Sequence, residues 1–235
     1  KQHFANIPHV WIDLLDPDEE ELFQTDPHEL TRRIANLPPQ SWIVIDEVQK
    51  APKLLDLVHK YIEEKDLLFA LSGSSARKLR RGTANLLAGR AFVYQLFPFS
   101  SQEMGLKFQL QNILEWGSLP KILQLEPQAK KLFLQAYAST YLKEEIQADQ
   151  LVRNLPSFRK FLEVAAQMNG KPLNYSKLAK DIHTDHSVVR TYYEILEDTL
   201  VGFRLPSYDK SIRQQQRKAA KFYFIDCGIK RALDK

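Results

Sequence analysis

Two adjacent carboxylates, Asp46 and Glu47, directly follow a short apolar run. The run, Trp42 to Ile45, is β-branched and aromatic, which predicts a strand buried on both faces. At the mouth of such a strand, one carboxylate can hold a hard divalent cation, which prefers oxygen ligands, while its neighbour orients a water molecule. The competing interpretation is that the pair only caps the next helix, because acidic residues stabilise helix N-termini.

A second polar segment follows the next apolar run. Leu67 to Leu71 predicts another strand, and a Ser-Gly-Ser-Ser tetrapeptide begins immediately after it. Ser72 or Ser74 could contact a group bound beside the carboxylates. Taken alone, however, the tetrapeptide is an ordinary turn sequence. The two serines are functional candidates only if the fold brings them close to Asp46.

A single arginine, Arg90, follows Gly89 and precedes the apolar run Ala91 to Leu96, which predicts a further strand. Its guanidinium could reach a bound phosphate. An isolated arginine after glycine is more often a surface residue, so this hypothesis depends on the surrounding fold.

Strand-like and helix-like patterns alternate over the first hundred residues. Val10 to Ile12 predicts a buried strand that ends at Asp13. Asp26-Pro27 predicts the N-cap and first residue of a helix, and Leu54 to Ile62 has the spacing of an amphipathic helix. The alternation is typical of an α/β fold with a parallel sheet, whose ligand sites lie beyond the carboxyl ends of the strands. We therefore expect the polar residues above to meet at one edge of the sheet.

In these segments the chain resembles the AAA-type ATPases of prokaryotes, in which a P-loop ATPase core precedes a second domain of poorly defined function. The resemblance runs in order along the chain, and the combination of Asp-Glu-Val-Gln-Lys with Ser-Gly-Ser-Ser is fairly specific. The segments that carry it are Trp42 to Pro52, Leu71 to Ser75, Leu87 to Arg90 and Leu96 to Glu103.

The resemblance implies a fold and a set of roles. The fold is α/β, a P-loop NTPase-like parallel sheet with helices, followed by a helical connector and a winged-helix domain. As the Walker B pair, Asp46 would hold the Mg²⁺ of bound ATP and Glu47 would orient the attacking water. Ser72 or Ser74 would sense the γ-phosphate, and Arg90 would act as an arginine finger. ATP and Mg²⁺ are the implied cofactors.

The sequence departs from this family at the phosphate-binding loop. A Walker A loop needs Gly, four residues and then Gly-Lys-Ser/Thr, and none of the 8 glycines begins or completes that pattern. The one Gly-Lys pair, Gly170-Lys171, is followed by Pro172. Because the chain also starts at Lys1 rather than Met, we expect truncation at both ends, with the first strand and the P-loop missing. As printed, the chain is expected to bind ATP weakly or not at all.

The second half predicts mainly helices. We expect an ATPase core over residues 1–103, a helical connector or lid over 104–150, and an incomplete winged-helix domain over 151–235. The last segment predicts three helices, followed by strands at Leu200 to Leu205 and Lys221 to Ile225. This order is also similar to the second domain of the family.

A winged helix can place its third helix in the major groove and its wing on phosphate. Six basic residues and one acidic residue lie between Arg204 and Lys221, which favours an electrostatic footprint without specifying a base sequence. The alternative to an ATPase is thus a DNA-binding regulator, or a module that binds protein partners or its own copies. The candidate nucleic-acid contacts are Arg190, Arg213, Arg217, Lys218 and Lys221.

Composition excludes several other classes of protein. The formal net charge of +4 conceals a gradient from −6 over residues 1–50 to +6 over residues 201–235. The single cysteine, Cys227, rules out an internal disulfide and a cysteine-rich zinc site. No apolar run approaches the roughly 20 residues of a membrane span, so we expect a cytoplasmic protein without membrane contacts. His183 and His186 lie on a predicted turn and are more typical of solvated residues than of metal ligands.

Overall fold

A computed structural model describes residues 4, 7–73, 91–141, 152 and 154–234. The chain forms two compact units, Lys1–Val93 and Tyr94–Lys235. Among the described residues, no helix combines the length and apolar character needed to cross a bilayer.

The first unit contains a parallel sheet of three strands, in the order β1-β2-β3. These strands are β1 (His9–Asp13), β2 (Trp42–Asp46) and β3 (Leu68–Leu71). The central β2 has three consecutive buried residues, as expected for a strand covered on both faces. The predicted parallel α/β arrangement is confirmed, and it is compatible with a P-loop-like core.

Helices connect and cover these strands. They are α1 (Pro17–Thr25), α2 (Glu29–Arg33) and α3 (Leu54–Glu64), with a 3₁₀ turn at Val48–Lys50. The sequence analysis missed α1, because its acidic residues leave only Phe23 buried. Its start is nevertheless encoded locally, since the Asp18 N–H donates to the Asp16 side chain at 3.0 Å.

The prediction of a strand at Ala91 to Leu96 is wrong. This segment carries no regular structure, and its side chains are exposed, with Phe92 90%, Tyr94 85% and Leu96 92% accessible. Strand propensity mainly reflects packing against neighbouring strands. In the described part of the chain these apolar side chains are not covered, so the local pattern alone does not produce a strand.

The second unit begins with short helices. They are α4 (Ser101–Met104), α5 (Leu110–Trp116) and α6 (Pro127–Ala136), accompanied by 3₁₀ turns at Gly105–Lys107 and Ile122–Gln124 and a π-helical turn at Tyr137–Tyr141. Residues 117–121, between α5 and the second of these 3₁₀ turns, are not helical.

Three longer helices and a two-stranded antiparallel sheet complete this unit. In chain order they are α7 (Leu155–Gln167), α8 (Tyr175–Asp181), α9 (His186–Asp198), β4 (Gly202–Leu205), α10 (Ile212–Arg217), β5 (Lys221–Phe224) and α11 (Cys227–Leu233). The three predicted helices and both strands are present, whereas α10 and α11 were not expected. Pro172 forms an isolated antiparallel bridge with Lys221, which adds a short third segment beside β5.

A buried carboxylate ties the first and last parts of this unit together. Asp226 is only 2% exposed. It accepts the Ser118 N–H at 2.7 Å and the Ile229 N–H at 3.0 Å, so it both caps α11 and fixes the loop after α5. A segment assigned from sequence to the connector therefore packs in the same unit as the last helix.

Candidate active site

The carboxyl ends of the three parallel strands place polar side chains side by side. Asp13 and Asp46 are register partners at the ends of β1 and β2, and Ile45 pairs with Leu71 at the end of β3. Because adjacent parallel strands end at the same edge, Ser72 follows β3 next to Asp46. Thus the sheet brings together three of the polar positions identified in the sequence.

Ser72 connects the Asp46 carboxylate with the backbone of Glu47. Its hydroxyl donates to Asp46 Oδ1, and the Glu47 N–H donates back to Ser72 Oγ at 3.3 Å. Two backbone bonds fix the serine itself, from the Ser72 N–H to the Ile45 carbonyl and from the Val48 N–H to the Ser72 carbonyl, each at 3.0 Å. Ser72 therefore holds Asp46 and the backbone of Glu47 in a defined relation.

The backbone at Glu47 adopts a left-handed conformation, with φ 59° and ψ 45°. A non-glycine residue in this region costs on the order of 1 kcal/mol, and such residues occur frequently at functional sites. The Glu47 side chain is partly buried, and the Gln49 side-chain amide donates to its Oε2. The backbone at Glu47 therefore departs from right-handed helical geometry, and the Gln49 side chain holds the Glu47 carboxylate.

Sequence reasoning missed the contribution of Gln49. The residue lay within the motif that carried the family resemblance, but no role was assigned to it. The available signal was its amide, which can reach a residue two positions earlier across a tight turn. Lys50, from the same motif, has a different place: its ammonium pairs with Glu20 at 2.5 Å, and its carbonyl accepts the Gln24 amide at 2.9 Å. Lys50 therefore anchors α1.

The site offers oxygen donors suited to a hard cation. Asp46 and Asp13 are both partly exposed, and one oxygen of Asp13 accepts the Leu15 N–H at 3.1 Å. Among the described residues, no group of three or more Asp, Glu, His or Cys side chains could hold a metal ion by itself. Mg²⁺ usually keeps several waters and takes one or two carboxylates together with phosphate oxygens. The donor set therefore fits Mg²⁺ shared with a phosphate ligand.

Two of the predicted site residues, Ser74 and Arg90, lie outside the described residues. Their roles as γ-phosphate sensor and arginine finger remain predictions. By contrast, the structure describes His183 and His186. They belong to no candidate metal group within the described ranges.

The candidate nucleic-acid residues occupy different elements of the second unit. Arg190 lies exposed on α9, with its guanidinium 5.6 Å from the centre of the Tyr175 ring. Lys218 pairs with Asp209 at 2.8 Å. The other three lie on or beside the segment between β4 and β5: Arg213 and Lys221 are exposed, and the side chain of Arg217 is outside the described part.

Comparisons with known families divide the chain near the same place as its two compact units. Residues 1–105 match a family model described as AAA domain. Residues 107–235, more than half of the chain, match a model described as Domain of unknown function (DUF8612). The first match supports an AAA-type, ATPase-like region that contains the strand-end site.

Similar proteins extend beyond the length of this chain. An uncharacterized protein of Mycobacterium tuberculosis is 24% identical over 191 residues, which cover 80% of this chain and 43% of that protein. An uncharacterized protein of Haemophilus influenzae is 20% identical over 245 aligned residues, covering 97% of this chain and 59% of that protein. The chain thus spans between two fifths and three fifths of the length of these relatives.

Proposed function

We propose that this chain, which belongs to the family described as Domain of unknown function (DUF8612) and carries an AAA-type ATPase-like region, is part of a Mg²⁺-dependent ATPase. The conclusion rests on one observation, the hydrogen-bonded cluster of Asp46, Ser72 and Glu47 at the carboxyl ends of adjacent parallel strands. The match of residues 1–105 to an AAA domain supports the same assignment.

Each residue of the cluster has a proposed role that follows from its environment. Asp46 would hold Mg²⁺, since Ser72 occupies one position on Oδ1 and leaves other lone pairs available. Glu47 would orient and polarise the attacking water, and Gln49 would fix the direction of its carboxylate. Ser72 acts through these two residues, so we assign it as a positioning residue.

ATP binding also requires a phosphate-binding loop, which the printed sequence does not contain. In this proposal the loop is supplied by other residues of the protein as its gene encodes it. Bound Mg²⁺ would neutralise charge on the β- and γ-phosphates. Hydrolysis would be coupled to a conformational change in the C-terminal unit, for which we propose a winged-helix fold, because α7, α8, α9, β4 and β5 follow one another in that order.

The test is release of inorganic phosphate from MgATP by the protein as its gene encodes it, flanking residues included. Glu47→Gln keeps the shape of the side chain but removes its charge, so the rate should fall by about 100-fold or more, while ATP binding persists. The matched control is Glu21→Gln, an exposed position on α1, which should leave the rate unchanged. Hydrolysis unaffected by Glu47→Gln would remove the role proposed for that residue.

A second candidate function is DNA binding by the C-terminal unit. Its support is the helix and strand order just given, together with the exposed Arg190 on α9. Binding to duplex DNA should weaken steeply as salt rises, because each phosphate contact releases counterions. In a gel-shift series, Arg190→Ala should reduce affinity, with the exposed Lys177→Ala on α8 as the control. Absence of a shift even at low salt would eliminate this candidate.

A further inference from the structure

The outer face of the small β4–β5 sheet exposes apolar side chains that the preceding functions do not use. Phe203 pairs with Tyr223, and Leu205 pairs with Lys221. Phe203 is 45% and Leu205 50% exposed, and nearby in sequence Tyr208 is 87% exposed. The opposite face is covered, since Phe222 and Phe224 are buried in the core. One side of this sheet is therefore structural and the other is accessible.

The aromatic rings on the accessible face form an ordered stack. The Phe203 and Tyr223 rings lie 5.7 Å apart between centroids, with planes 23° from parallel. Gly170 approaches the Tyr223 ring so closely that a Cβ there would lie 3.3 Å from it. Tyr223 thus contacts both Gly170 and Phe203, and Phe203 is 45% exposed, which leaves accessible surface for another flat ring.

The charges beside this stack are positive. Two acidic groups near this sheet are already paired, Asp209 with Lys218 at 2.8 Å and Glu197 with Arg204. Three exposed cations, Lys210, Arg213 and Lys221, have no carboxylate partner among the described residues. Lys171 is also exposed and precedes Pro172, which bridges Lys221.

We propose that this face binds single-stranded nucleic acid. A base would stack on Phe203 and another on Tyr208, while Lys221 and Arg213 would pair with phosphates. Unpaired bases offer free π-faces, and aromatic platforms beside cations recognise them with little sequence preference. A duplex hides those faces within its own stack, and an acidic peptide would satisfy the cations without using the rings. This site needs no nucleotide turnover, so it stands apart from the proposed ATPase. It shares Arg213 and Lys221 with the DNA-binding candidate, but its exposed aromatic rings select unpaired bases, whereas binding through α9 would use a duplex.

The test is fluorescence anisotropy of labelled oligothymidylate with the 235-residue chain, without ATP. The single strand should bind more tightly than the matching duplex, and affinity should fall with salt. Phe203→Ala should weaken binding by about tenfold or more, whereas Phe203→Trp should retain it. Tyr208→Ala should weaken binding severalfold, and because that side chain is almost fully exposed, its loss does not threaten the fold. Leu205→Ala is the matched control for apolar contact without stacking.

Several outcomes would overturn the proposal. They are no measurable binding of the single strand, equal affinity for wild type and both alanine variants of the aromatics, or tighter binding to the duplex by the Arg190→Ala variant, in which the candidate duplex contact on α9 is removed. Displacement of the oligonucleotide by a lower concentration of polyglutamate would instead assign the face to an acidic protein partner. None of these results would bear on hydrolysis at Glu47, so the two proposals fail separately.

Discussion

Two aspartates, one in each compact unit, show how environment separates a carboxylate that can do chemistry from one that only supports structure. Asp46 is partly exposed and receives a side-chain hydroxyl from Ser72. Asp226 is buried and receives backbone N–H groups from both ends of its unit. A bond from a hydroxyl leaves room and lone pairs for a ligand, whereas several backbone donors around a buried group do not.

The surroundings of Asp226 explain why it must remain unreactive. A Cβ on Gly117 would lie 2.0 Å from Asp226 Oδ1, and a Cβ on Gly228 would lie 2.1 Å from the Trp116 carbonyl oxygen. Burial raises the pKa of the Asp226 carboxyl, although N–H donors including those of Ser118 and Ile229 oppose the shift. The site is therefore filled by the protein's own backbone.

The largest expected effect is on stability. Asp226→Ala removes a helix cap and leaves buried N–H groups without acceptors, so the free energy of unfolding should fall by about 4 kcal/mol. Asp46→Ala should change it much less, because the site at β2 is partly exposed. Urea denaturation followed by circular dichroism measures both variants. Equal destabilisation by the two substitutions would contradict the distinction drawn here.

A glycine substitution tests the crowding around Asp226 directly. Gly117 has φ +77°, and its added methyl would collide with the Asp226 carboxylate, so Gly117→Ala should cost about 3 kcal/mol. Gly105→Ala is the matched control: its φ is +51° but no atom lies within 4 Å of the added Cβ, and backbone strain alone should cost about 1 kcal/mol. Similar unfolding midpoints for the two variants would show that crowding at Gly117 is unimportant.

At the strand ends, removal of the Ser72 hydroxyl should affect the rate of ATP hydrolysis more than the stability of the fold. Ser72→Ala removes one donor to Asp46 and one acceptor for the Glu47 N–H, which should lower the free energy of unfolding by only about 1 kcal/mol. Phosphate release from MgATP should nevertheless decrease about tenfold, because the Asp46 carboxylate and the Glu47 backbone lose the side chain that holds them together. Ser72→Thr retains the hydroxyl and should restore the rate. Failure of threonine to rescue would argue against a positioning role.

The smallest expected effect is on the alkylation rate of Cys227, the single cysteine, which directly follows the buried Asp226 in the sequence. Burial raises the pKa of its thiol, and the charge of Asp226 raises it further. Less thiolate is then present near pH 8, so alkylation by iodoacetamide should be slower than for a free cysteine peptide. Asp226→Asn should accelerate the reaction severalfold at the same pH. Alkylation at or above the peptide rate would disagree with this environment.

The sequence predicted the first unit best where local patterns were strong. The apolar runs before Asp46 and Ser72 form neighbouring strands, because each is long enough and apolar enough to pack within a sheet. The run before Asp46 has three consecutive buried residues, whereas the run before Ser72 is partly buried throughout. The same logic failed at residues 91–96, where an apolar pattern has no neighbouring strand among the described residues. Local propensity therefore indicates a possible strand, and the presence of a partner decides whether it forms.

Other residues could not be interpreted from local pattern at all. Gln49 acquires a role only because Glu47 takes a left-handed conformation. The role of Asp226 has no local signal, since its partner Ser118 lies 108 positions earlier in the chain. Likewise Phe203 and Tyr223 form a stacked platform only through the register of β4 with β5.

The sequence by itself determined which residue types follow the apolar runs, and hence that carboxylates and serines stand at strand ends. It did so because burial and turn formation are local constraints on residue type. Only the tertiary structure decided that Ser72 bonds to Asp46, 26 positions apart, and that Asp226 is enclosed by backbone. Those pairings depend on strand register and long-range packing, which no local pattern records, and they are what distinguish the candidate active site from a structural carboxylate.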